Sequence, residues 1–154
     1  MFVQNSFSTK MTIAAFSLFM IFLAGCAAGP STSMQNGQLW RGKVSGDASG
    51  VIEVNVYKNP EQEGVYTVSG FIKADVVAGS AGPSKADLSI NGKLIDGVLK
   101  GRLSGIVSAV SITTTAAGEV VGNMSATKGA GTYQARASEF GMRYRGKWVI
   151  ECVQ

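Results

Sequence analysis

Hydrophobic and polar residues alternate with a period of two from Leu39 to the end of the chain, and no stretch there carries a helical period of 3.6. The alternation predicts strands over residues 39–45, 51–58, 65–74, 86–90, a long segment from Lys93, then 106–115, 119–127, 131–138 and 143–153. Ile52, Val54 and Val56 share one face of the second segment, and Tyr66, Val68, Gly70 and Ile72 share one face of the third. Turn formers punctuate these runs. Gly46 to Gly50, Asn59 to Gly64 and Ala78 to Lys85 read as connections. Asn91-Gly92 reads as a two-residue hairpin, and Asp96-Gly97, following too soon for a second one, as a bulge. The expected fold is all-β, an antiparallel meander of about eight strands closing into a small, closed or partly open barrel, with a β-sandwich as the alternative.

Glycine sharpens that choice. The chain has 20 glycines in 154 residues and three prolines, so glycine is used at roughly twice its ordinary ~7%. The glycines fall inside strands, alternating with large side chains on the apolar face: Ile95, Gly97, Leu99, Gly101 and Leu103; Val120, Gly122, Met124 and Ala126; Tyr144, Gly146, Trp148, Ile150 and Cys152. A narrow barrel needs that alternation of large and small to fill its interior, and a sandwich does not.

The first 25 residues follow another pattern. A single cation, Lys10, precedes an apolar run from Met11 to Leu23. A helix crossing a ~30 Å bilayer core needs roughly 20 apolar residues, so this shorter run reads as the core of a secretory signal. It ends in Leu23-Ala24-Gly25-Cys26. This tetrapeptide resembles the lipobox of bacterial lipoproteins, a resemblance confined to residues 1–28. It implies that residues 1–25 are removed and that Cys26 is diacylated on sulfur and becomes the acylated first residue of the mature chain. Ala27, standing where an aspartate would retain such a protein, implies anchoring in the outer membrane, facing the periplasm. Residues 26–38, small and polar, read as a tether, with residues 39–154 as one β domain. A dozen such residues reach about 20 Å.

Charge and chemistry narrow the function. The formal net charge is +4, and loss of Lys10 leaves +3, too mild and too dispersed for a nucleic-acid protein. With no histidine in the chain, neither a Ser-His-Asp triad nor a Cys-His dyad can be built, and the commonest metal ligand is missing. Glu53, Asp96, Glu119 and Glu151 fall on polar strand faces, and Asp47, Glu61 and Glu63 fall in turns. No catalytic residue, metal site or cofactor is expected. With Cys26 carrying lipid, an intramolecular disulfide is not expected either. Cys152 and both tryptophans, Trp40 and Trp148, lie on apolar parity and read as core.

One constellation has the character of a binding surface. Arg-Gly-Lys occurs at Arg41-Gly42-Lys43 and again at Arg145-Gly146-Lys147. Closing the barrel makes the first and last strands neighbours, which would gather Arg41, Lys43, Arg143, Arg145 and Lys147 on the outer wall. Such a surface suits anionic lipid headgroups or an acidic envelope protein. The function expected is therefore a non-enzymatic envelope lipoprotein acting as an interaction or accessory module. The alternative is a lipocalin-like carrier holding a small apolar molecule in its lumen, and a filled or hollow interior separates the two.

Overall fold

The computed structural model describes residues 36–76, 83–139 and 141–153. The segments assigned to the signal peptide, to Cys26 and to most of the tether lie outside the described residues, as does most of the Ala78–Lys85 connection. Eight strands run in chain order, β1 (Gln38–Gly46), β2 (Ala48–Lys58), β3 (Val65–Val76), β4 (Ser84–Ile95), β5 (Val98–Ser108), β6 (Thr113–Met124), β7 (Lys128–Ala137) and β8 (Arg143–Cys152). Each pairs antiparallel with the next, and β1 pairs with β8 from Trp40↔Cys152 to Gly46↔Gly146, closing the barrel. The expected closed meander of eight strands is what forms.

Period-two alternation places the core. Trp40, Val44, Ile52, Val54, Val56, Val68, Ile72, Leu88, Ile90, Leu94, Leu99, Leu103, Val120, Tyr133, Trp148 and Ile150 point inward and are buried. Residues between them point to solvent. Glycines on the inward parity face one another across strands at Gly92↔Gly101 and Gly122↔Gly131. The Trp148 ring lies over the second pair: a Cβ at Gly131 would stand 2.7 Å from its Cε2. Its indole N–H donates to the carbonyls of Val121 (3.1 Å) and Thr132 (3.2 Å), meeting the requirement that a buried donor find an acceptor. Tyr133 covers Gly146 in the same way, with ring Cε1 2.5 Å from a Cβ placed there. The glycines are thus the space the aromatic rings occupy.

Three local expectations are corrected. The two-residue turn is Asp96-Gly97, where both residues have positive φ (51° and 76°), as a type I′ hairpin requires. Asn91-Gly92 lies within β4, and the long strand expected from Lys93 is two strands joined at this turn. The inward parity changes at the turn: before it Leu94 is buried (1% exposed) and Ile95 faces out (45%), and after it Leu99 is buried and Val98 faces out. Residues 106–115 are not one strand. β5 ends at Ser108, a turn closed by the Ala109 N–H to Ile112 carbonyl bond (2.7 Å) intervenes, and Val110 at its tip is 91% exposed. At the first turn Asp47 alone separates β1 from β2, so Ala48 to Gly50 are strand.

Candidate functional site

Closure of β1 on β8 puts Arg41, Lys43, Arg143, Arg145 and Lys147 on the outer wall, all exposed. Their register divides them. Arg41 sits between Glu151 on β8 and Glu53 on β2, and its guanidinium is bonded to the Glu53 carboxylate at 2.7 Å. Lys43 lies between Val149 and Val51, both exposed. Lys147 is opposite Ser45 and Thr132. Arg145 is opposite Gln134, and Arg143 is opposite Arg136 of β7. Arg143 starts β8 and Arg41 lies near the start of the antiparallel β1, so the two occupy opposite ends of the wall. The register thus sets Arg145 and Lys147 side by side on β8 and leaves Arg41 and Arg143 at the two ends of the wall.

Positive charge concentrates where β7 meets β8. Arg136, Arg143 and Arg145 line a depression of about 370 Å³ together with Ala117, Gly118, Glu119, Gln134 and Ala135. The Arg136 guanidinium lies beside Gly141 of the β7–β8 turn, with Nη2 3.5 Å from a Cβ placed there. The Arg145 N–H donates to the Asp47 carboxylate at 2.9 Å, which ties the β1–β2 turn to β8. Among the described residues the ion pairs are Arg41–Glu53 and Lys128–Glu151, so these three arginines have no carboxylate at ion-pair distance. Sequence reasoning missed Arg136 because it compared the first strand with the last. The signal lay in the neighbouring hairpin, whose loop length sets the register Arg136↔Arg143.

A second depression, about 670 Å³, opens on the outer wall at the other end, where Arg41, Lys43, Lys128 and Glu151 surround Val149 and Ala130. The interior is occupied by side chains, with Trp40 and Trp148 at 0% and 1% exposure. Its buried polar residues among those described are Ser84 and Thr114. Glu53, Glu119 and Glu151 stand on the outer wall, and Asp96 is in a turn. Burial raises the Tyr133 phenol above its ordinary value; a hydrogen bond with the Ala48 backbone opposes the rise and the nearby Asp47 charge adds to it. Burial likewise raises Tyr144.

Cys152 corrects another expectation, because it is disulfide-bonded. The chain's other cysteine is Cys26, which lies outside the described residues.

No family model matches the sequence, and no curated protein matches it. Among solved structures, the crystal structure of Ail, the attachment invasion locus protein of Yersinia pestis, is similar at 14% identity, with a TM-score of 0.45 over 77% of this chain and 97% of that one. At that identity and score the likeness carries no functional inference.

Proposed function

We propose that the protein is an envelope lipoprotein whose barrel is a non-enzymatic interaction module and whose anchored form carries lipid on the Cys26 sulfur in place of a disulfide, tethering it to the periplasmic face of the outer membrane. The observation that carries this reading is the polarity of the wall. Membrane-spanning barrels are apolar outside and polar inside, and a Lys or Arg facing lipid at mid-bilayer costs about 2–4 kcal/mol. Here Lys43, Lys93, Lys100, Arg102, Glu119, Arg145 and Lys147 are exposed on the outside, while the inside is apolar. A barrel built this way stands in water and needs a separate attachment, which the Leu23-Ala24-Gly25-Cys26 motif supplies. The filled interior supports the module over a carrier, since Trp40, Trp148, Leu94 and Leu99 occupy the space a lipocalin-like ligand would need.

Cell fractionation tests the reading. The native protein is expected in the outer-membrane pellet, released by detergent but not by high salt, and Cys26→Ser is expected to remain unprocessed or become soluble. Release of the native protein by salt alone would overturn lipid attachment.

A further inference from the structure

We infer that Arg136, Arg143 and Arg145 form an oxyanion site that takes a phosphate-type dianion on the outer wall between β7 and β8. Like charges placed directly opposite on antiparallel strands are destabilising, their Cβ atoms being about 4.5–5.5 Å apart, and Arg136↔Arg143 is such a pair. Elsewhere on this wall Arg41 pairs with Glu53 and Lys128 with Glu151, while Lys43 and Lys147 face uncharged residues across the strands and not a second cation. The arginine pair has no carboxylate partner among the described residues, although Arg145 adds a third guanidinium one inward-facing residue along β8 from Arg143. Glu119, the carboxylate lining the same depression, is opposite Arg102 and Gln134, and Asp47 is engaged by the Arg145 N–H. Gly118, Ala117 and Ala135 leave the floor shallow. Two adjacent guanidinium forks over a floor of small residues suit an anion with three terminal oxygens, because each fork offers parallel N–H donors to a pair of oxygens.

The site also lies away from the anchored end. β1 begins and β8 ends at the barrel end where the chain enters, whereas Arg143 begins β8 and Arg136 is next to last in β7. A ligand held there faces away from the point of attachment. The inference stands on the geometry of the wall and does not depend on lipidation of Cys26.

Thermal unfolding of the full processed protein in neutral detergent tests it. Inorganic phosphate is expected to raise the melting temperature more than chloride at equal ionic strength, because a ligand that binds only the folded state stabilises it. Arg136→Gln/Arg143→Gln is expected to melt higher than the parent in phosphate-free buffer, since the like-charge pair is gone, and to weaken phosphate binding roughly tenfold or more. Arg41→Gln is expected to keep the phosphate response. Glycerol 3-phosphate distinguishes the sources: binding as tight as inorganic phosphate assigns the site to phosphomonoester headgroups, and weaker binding assigns it to free phosphate. Equal effects of phosphate and chloride on the parent, or an undiminished phosphate response in the double variant, would overturn the site.

Discussion

The Tyr133 hydroxyl on β7 and the Ala48 backbone at the start of β2 bond each other in both directions, the phenol donating to the Ala48 carbonyl and accepting from its N–H, each at 3.2 Å. Eighty-five residues separate the two in sequence. The bond crosses the barrel end beside the Asp47 turn and joins β7 to β2, which are not neighbours in the sheet. Tyr133→Phe keeps the ring over Gly146 and leaves the buried Ala48 groups without that partner. The expected cost is about 1–3 kcal/mol, read as a lower denaturant midpoint at unchanged slope.

Alkaline pH acts on the same residue. Tyr133 and Tyr144 are both raised by burial above an ordinary value of about 10. As pH rises past 10 the unfolded chain loses its phenolic protons first, so the native state binds more protons and stability falls with pH. The contribution is fully present below about pH 10 and is lost as pH rises through the raised native values. Unfolding followed by tyrosinate absorbance is expected to show this decline, smaller in Tyr133→Phe. A stability unchanged from pH 9 to 11.5 would contradict it.

The pairing of Trp148 with its glycines is testable by one methyl group. A Cβ on Gly131 would meet Trp148 Cε2 at 2.7 Å and the Gly122 Cα at 2.6 Å. One of these neighbours is backbone and cannot yield cheaply. Gly131→Ala is expected to cost about 3 kcal/mol, the upper part of the usual range for overpacking. Gly101→Val, where the first Cβ contact is the Val120 side chain at 3.0 Å, crowds an interior position more forgivingly. Thermal unfolding of the two variants is expected to rank them in that order.

The architecture was legible because parity is a local property. Tyr144, Trp148 and Ile150 alternate with Arg145, Lys147 and Val149, and the inward set is the one that packs. Turns were legible only where their residues differ from strand residues. Asn59 to Gly64 is such a turn, and the Glu61 N–H bonded to Asn59 Oδ1 shows the side chain shaping it. Ala109 to Ile112 carries no glycine or proline, so its apolar residues read as strand. Asn91-Gly92 and Asp96-Gly97 carry the same local signal. What chooses between them is register: turning at Asp96-Gly97 lets Leu94 and Leu99 both face inward, opposite each other. That choice is made by packing across strands and is invisible along the chain. The surface followed the same logic. Outward parity of Arg41, Lys43, Arg143, Arg145 and Lys147 was readable, whereas the neutralisation of Arg41 by Glu53 and the pairing of Arg143 with Arg136 depend on cross-strand neighbours.

The Arg41–Glu53 pair is expected to contribute little to stability. The Arg41 side chain is 59% exposed, and exposed pairs are worth about 0–1 kcal/mol and weaken with salt. Arg41→Gln is expected to unfold within about 1 kcal/mol of the parent. A larger loss would give β1 a structural dependence on this contact that its exposure does not support.

Attachment through Cys26 is decided by the intact mass of the native protein, extracted from membranes under non-reducing conditions and mapped by tandem mass spectrometry. One sulfur cannot carry a thioether lipid and a disulfide at once. The anchored protein is expected to begin at Cys26, with a diacylglyceryl thioether on its sulfur and a fatty acyl group on its amino terminus. A mature chain beginning elsewhere, or a Cys26 sulfur bound to Cys152, would contradict that attachment.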